Sequence, residues 1–98
     1  MNYVFPASTG LTIYTKSNCQ YCSLIKELIE RNNLEVSIVN CDYYLMENRE
    51  RFLEYIHQIT NLNYKTFPMV FYDGQFIGGY TETKKWIEQK NAFDDLTF

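Results

Sequence analysis

Cys19 and Cys22, three positions apart in the run Lys16-Ser17-Asn18-Cys19-Gln20-Tyr21-Cys22, are the residues of this chain best equipped for chemistry. A Cys-x-x-Cys pair suits reversible disulfide formation, metal ligation or plain packing, and its surroundings decide between them. Upstream, Leu-Thr-Ile-Tyr-Thr at 11–15 alternates and is rich in β-branched and aromatic residues, which predicts a strand. Downstream, Cys22, Ile25, Leu28 and Ile29 recur at helical spacing, with Lys26, Glu27, Glu30 and Arg31 on the opposite face. This predicts a helix over 20–32, closed by Asn32-Asn33. Cys19 then stands at a helix start, where unpaired N–H groups and the positive dipole end favour an anion. Such cysteines fall from a pKa of about 8.5 into a range of roughly 3.5–7.5. Lys16, on the preceding loop, adds a positive charge. Cys22 lies one turn in on the apolar face, where desolvation keeps the thiol neutral. The pair is therefore inequivalent: Cys19 attacks and Cys22 resolves. Helical positions i and i+3 have β-carbons about 5–6 Å apart, a short movement from the roughly 3.5–4.5 Å of a disulfide.

Metal ligation is the weaker use of the pair. Zinc takes four ligands, and the leftover candidates, Cys41 and His57, form no second close pair, so no metal is assigned. Cys41 reads as a small buried hydrophobe and His57 as a wet helix residue. The 98 residues, 46% hydrophobic and 17% aromatic, are enough for one domain over 1–98 that needs no disulfide framework. A net charge of −3 with nine scattered basic residues argues against nucleic-acid and anionic-membrane partners. No apolar run has the length of a membrane span, and no secretory leader is evident. Three cysteines with one close pair fit a reducing compartment, so a cytoplasmic location is expected.

The elements that must position the thiols follow in order. Residues 1–10, with Pro6 and Ser8-Thr9-Gly10, read as a loose lead-in. After the first strand and helix, alternation over 34–39 predicts a second strand, and the strand–helix–strand unit makes the two strands parallel with a right-handed crossover. Phe52, Leu53, Ile56 and Ile59 predict a helix over 47–60. A proline-led strand over 67–72 turns through Asp73-Gly74 into a strand at 75–77, an antiparallel hairpin. Gly78-Gly79 precede a last helix that begins at Thr81 and Glu82, carries Trp86 and Ile87 inward, and gives way to a tail over 90–98 in which Phe93, Leu96 and Phe98 are candidates to dock.

This order, βαβαββα with Cys-x-x-Cys at the first strand-to-helix turn, resembles the thioredoxin-like α/β fold, a mixed four-stranded sheet flanked by helices. Three motifs narrow the resemblance to the glutaredoxin family, dithiol type: Lys16-x-x-Cys19-x-Tyr21-Cys22, Thr66-Phe67-Pro68 and Gly78-Gly79-x-Thr81-Glu82. The resemblance implies a glutathione-dependent thiol–disulfide oxidoreductase that reduces glutathione mixed disulfides and protein disulfides through Cys19 and Cys22. It implies glutathione contacts at Lys16, Tyr21, Thr66, Phe67, Pro68, Gly79, Tyr80, Thr81 and Glu82, with Pro68 in the cis form and Lys65 a weaker match. Implied partners are glutathione and disulfide-containing or glutathionylated proteins, with ribonucleotide reductase one candidate, and the chain itself is expected to be a monomer. Gln20 replaces the proline usual in dithiol members. Family members without that proline include carriers of a [2Fe-2S] cluster bridged by glutathione between two monomers, which is the alternative function.

Overall fold

The computed structural model describes residues 2–95, with side chains over 2–91. Its elements run β1 (Leu11–Thr15), α1 (Gln20–Arg31), β2 (Val36–Asn40), α2 (Asp42–Thr60), β3 (Met69–Tyr72), β4 (Gln75–Gly78) and α3 (Tyr80–Asp95). They form the thioredoxin-like arrangement: a four-stranded sheet in the order β2-β1-β3-β4, with β1 and β2 parallel and the other pairings antiparallel. β1 is central and buried along its whole length. Its threonines survive burial because their hydroxyls are bonded: Thr12 Oγ1 accepts the Ala7 N–H at 2.9 Å, and Thr15 Oγ1 donates to the Val39 carbonyl at 3.5 Å.

The two faces of the sheet bury different material. Leu11, Ile13 and Val70 pack with Ile25 and Ile29 of α1 and Ile87 of α3 in an aliphatic layer. The other face joins Tyr14, Met69 and Phe71 to Phe52, Tyr55 and Ile56 of α2. Trp86 is only partly buried, against Tyr72 at 4.9 Å between ring centroids.

Several boundaries differ from those the sequence predicts. The second helix begins at Asp42, five residues before the expected 47, and is broken at Asn48, whose φ of −163° and ψ of 93° are not helical. Asn48 Oδ1 accepts the Arg51 N–H at 3.0 Å, so it acts as the N-cap of the later segment. The apolar periodicity detects that segment alone. β2 occupies 36–40 rather than 34–39, and as an edge strand it leaves Ile38 half exposed. β3 starts after Pro68 rather than with it. The hairpin turn is as predicted, with positive φ at both Asp73 and Gly74. α3 absorbs the first part of the predicted tail, through Asp95; docking of Phe93, Leu96 and Phe98 falls outside the described side chains.

The lead-in has no regular structure, yet the expectation that it is loose does not hold over residues 3–7. The Tyr3 ring stacks on Tyr55 at 4.6 Å. The buried Tyr14 hydroxyl donates to the Val4 carbonyl, and Tyr55 Oη stands 3.3 Å from the same oxygen. These phenols need an acceptor inside the protein, and the segment supplies it. Burial raises the pKa of both, that of Tyr14 most, so both stay protonated.

Candidate active site

Cys19 is the N-cap of α1: its carbonyl accepts the first helical bond from Ser23, and its Sγ accepts the Cys22 N–H at 3.2 Å. The sulfur therefore occupies the place a serine or aspartate oxygen takes in an ordinary cap, facing the free N–H groups of the first turn. A thiolate formed there is held by a hydrogen bond and by the helix dipole together. Cys22, as expected, points into the core and is 2% exposed, whereas Cys19 is partly exposed. The Cα atoms are 5.2 Å apart and the sulfurs are joined as a disulfide. The loop reaches the cap through Asn18, whose φ of +55° is one that asparagine tolerates better than most residues.

Cys19 Sγ lies 3.7 Å from the carbonyl oxygen of Phe67, which places it at the edge of a cleft of about 460 Å³. Thr66, Phe67 and Pro68 form one wall from the loop ahead of β3, and the Phe67–Pro68 peptide is cis. Tyr80, Thr81 and Glu82, at the start of α3, form the facing wall. Tyr21 closes one end from α1, its ring 5.5 Å from that of Tyr80. The Thr83 N–H bonds to the Gly79 carbonyl, which makes Gly79 the cap residue of α3. Glu82 Oε1 accepts the Gly79 N–H at 2.8 Å, the return half of a capping box. With that donor satisfied, the N–H groups of Tyr80, Thr81 and Glu82 have no partner within the helix, an arrangement that suits a carboxylate.

The structure thus brings together seven of the nine predicted contact residues. Gly79 is buried behind the wall, and a Cβ there would fall 2.4 Å from Tyr64 Oη, so any larger residue would displace the Tyr64 side chain. Lys16 is not a lining residue. It sits partly buried in the loop, near enough to Asp42 to help lower that carboxyl's pKa. Lys65 lines a separate depression with Glu50 and His57. No lysine is among the residues that line the cleft, so what it offers an anion is the free N–H groups at the start of α3.

Tyr64, which the sequence did not single out, lines the cleft from the loop after α2, held edge-on to Phe76 at 4.8 Å. No local pattern marks it. Cys41 is fully buried, and burial pushes its thiol up to about 12, so at neutral pH it is an inert neighbour. His57 is exposed, with Nδ1 3.2 Å from the Leu62 carbonyl oxygen. Among the described residues no group of three His, Cys, Asp or Glu could hold a metal, and no helix is long and apolar enough to cross a membrane. A second cavity, about 550 Å³ between the lead-in and α2, contains neither active-site cysteine.

The family model for glutaredoxin matches residues 11–77, from β1 into β4. Glutaredoxin 1 of Escherichia coli is 30% identical over 77 residues, which is 79% of this chain and 91% of that protein. Among solved structures, glutaredoxin 1 from Francisella tularensis complexed with cacodylate superposes with a TM-score of 0.72 at 30% identity, covering 84% of this chain and 95% of that one. A buckwheat glutaredoxin–glutathione complex shares the fold, with a TM-score of 0.68 at 24% identity over 85% of this chain and 72% of that one. Mitochondrial glutaredoxin-2 of Bos taurus is 32% identical over 75 residues, 76% of this chain; the chain spans less than half of that relative, 45% of its length. With a partly exposed N-cap cysteine, a buried second cysteine and a family model covering most of the sheet, this chain belongs to the glutaredoxin family and carries a dithiol pair.

Proposed function

We propose that the chain is a glutathione-dependent oxidoreductase that reduces glutathione mixed disulfides and protein disulfides. The observation that carries this reading is the position of Cys19 Sγ, capping α1 at the edge of a cleft whose far wall is a second helix N-terminus. The Cys19 thiolate attacks the glutathione sulfur of a mixed disulfide; the target leaves as a thiolate and takes up a proton. A second glutathione, as thiolate, attacks the glutathionyl sulfur on Cys19, releasing oxidised glutathione and restoring the Cys19 thiolate. With a protein disulfide, Cys19 forms the mixed disulfide with the target. Cys22 then loses its proton and attacks Cys19 Sγ, leaving the target reduced and Cys19–Cys22 oxidised. Two glutathione molecules reduce that bond and leave as their own disulfide.

Glutathione is a small anionic peptide. The free N–H groups at the start of α3 suit its γ-glutamyl carboxylate, and the Glu82 carboxylate, already bonded to Gly79, stands where an ammonium would gain from it. The backbone of Phe67 offers the cysteinyl unit strand-like pairing beside Cys19. Tyr21 and Tyr80 supply apolar wall to the tripeptide. Protein partners would be disulfide-bearing or glutathionylated proteins, ribonucleotide reductase being one candidate. Lys16 and Lys65 have no assigned contact.

The test is NADPH oxidation in the presence of glutathione reductase, glutathione and a small glutathione mixed disulfide, with the visible spectrum of anaerobically isolated protein recorded in parallel. Cys19→Ser is expected to abolish turnover, and Cys22→Ser to retain much of it. Equal loss in both variants would overturn the assigned roles. A cluster bridged between two copies would draw on Cys19, the one cysteine that is not buried, and would colour the isolated protein. A colourless, active protein selects the oxidoreductase.

A further inference from the structure

β1 and β2 run parallel with Thr15 opposite Asn40, so the loops that leave them emerge side by side. One carries the active-site cysteine and the other opens α2. The Cys41 N–H donates to the Thr15 carbonyl at 2.8 Å, which extends the pairing one step beyond the strand. Beyond it, the Ser17 N–H donates to Asp42 Oδ1 at 2.9 Å and Ser17 Oγ donates to Asp42 Oδ2. The backbone at the start of α2 is itself tied down, because the Asp42 N–H donates to Asn40 Oδ1 at 2.9 Å. Only Asn18, in its left-handed conformation, separates Ser17 from Cys19. Cys41 precedes Asp42 yet makes no side-chain cap to α2, so Asp42 is engaged with a loop from another part of the chain rather than with a cap residue of its own helix.

We propose that Asp42 is a positioning residue for the thiol chemistry: by gripping Ser17 at two points it fixes the loop that sets Cys19 on the N-terminus of α1. The proposal rests on the reading of Cys19 as the nucleophile. Both Ser17 donors lie on the active-site loop, and they are the leading cause of the lowered Asp42 pKa, so the carboxylate is ionised across the neutral range. If the grip is released, Asn18 and Cys19 can sample conformations in which Sγ no longer faces the Cys22 N–H. The fraction of time spent as a poised thiolate then falls.

The test compares Asp42→Asn with Asp42→Ala. Both remove the same charge, but only the amide keeps an oxygen acceptor for Ser17. The readout is the rate of iodoacetamide labelling of the reduced protein at pH 6.5. It reports Cys19, since Cys22 and Cys41 are 2% and 0% exposed. Asp42→Asn is expected to label at no less than half the wild-type rate. Asp42→Ala is expected to be slower by about three- to tenfold, inside the roughly hundredfold that a 1 Å misplacement can cost. Ser17→Ala, which leaves the charge in place at an exposed position and so folds even where Asp42→Ala does not, should move the same way, and Ser17→Thr should restore the rate. Equal rates for the two Asp42 variants, or a wild-type rate for Ser17→Ala, would overturn the proposal. Labelling requires no glutathione, so a wild-type chain that labels readily but turns over no mixed disulfide defeats the functional reading and leaves this comparison standing.

Discussion

α1 and α3 both begin at the cleft, and each has its first N–H groups to satisfy. At α1 the capping atom is the sulfur of Cys19, so the interaction that closes the helix is also the one that would stabilise a thiolate there. At α3 the cap comes from Glu82, whose Oε1 holds the Gly79 N–H and plays no part in bond breaking. One helix start spends its donors on the chemistry; the other satisfies one donor internally and leaves the next three for a ligand. The same backbone geometry therefore serves two purposes, and the residue chosen as cap decides which. Changes at α1 should act on the rate of the sulfur chemistry, and changes at α3 on substrate affinity.

The largest effect expected at α3 comes from Glu82. Glu82→Ala removes both the cap and the carboxylate, and KM for a glutathione mixed disulfide should rise about tenfold with kcat little changed, the signature of lost uniform binding. Losing the cap should also cost about 1 kcal/mol of stability in a denaturant titration. Glu82→Gln keeps an oxygen for Gly79, so stability should stay near wild type and KM should rise less. A fall in kcat with constant KM in either variant would break the contrast between the two helix starts. Gly79→Ala comes next. The added methyl would meet Tyr64 Oη at 2.4 Å and push the ring into the cleft, and KM should rise about fivefold, just under 1 kcal/mol. Removing that oxygen with Tyr64→Phe in the same chain should recover most of the loss. Persistence of the defect in the double variant would assign it to the helix start itself.

These residues were not equally legible in the sequence. Cys19, Cys22 and Glu82 act on backbone within three residues of themselves, so a local pattern and a family resemblance suffice to place them. The cis form of Phe67–Pro68 came from the resemblance alone, since X-Pro bonds are usually trans. Tyr64 owes its role to Gly79 and Phe76, twelve and more positions away, and a tyrosine in a polar loop carries no periodic signal. Asp42 stood in a stretch where Asn48 interrupts the helical period, so both its helix and its hold on Ser17 were missed. The lead-in misled for the same reason: its anchors, Tyr14 and Tyr55, lie far along the chain, while Pro6 and Gly10 advertise only turns. Lys16 differs again: it stands in the active-site loop, as the motif places it, and is not among the residues that line the cleft.

Thr83 gives a smaller test at α3. It is fully buried in the first turns of the helix and its hydroxyl has no partner among the described residues, whereas the Thr12 hydroxyl, equally buried in β1, accepts the Ala7 N–H. Thr83→Val removes the orphaned group with little change of shape and should stabilise by about 1 kcal/mol, or roughly 4–8 °C in Tm for a domain of this size. Thr12→Val should destabilise by a similar amount. A loss of stability in Thr83→Val would mean that its hydroxyl has found a partner, and that the start of α3 is more fully satisfied than its counterpart.

The smallest effect concerns Asp42, which stands at the third helix start and lies next to neither wall of the cleft. Hydrogen bonds from the Ser17 side chain and backbone, then from Asn40, with Lys16 nearby, lower its pKa below the ordinary carboxylate value. A group depressed in the folded state stabilises the fold at pH above its unfolded pKa, and that contribution fades as pH falls through the depressed value. Because the carboxylate is exposed, solvent screening keeps the contribution small. The window is therefore acidic, from about pH 4 downward, and far from the pH at which the thiolate works. Other carboxylates titrate in the same range, so the quantity to measure is the Tm difference between wild type and Asp42→Asn from pH 2 to 7. The difference should be constant from pH 5 upward, favour wild type there, and shrink toward zero below about pH 4. A difference independent of pH would mean that Asp42 holds Ser17 as an acceptor of shape alone, with its charge irrelevant, and the α2 start would then contribute geometry to the active-site loop and no electrostatics.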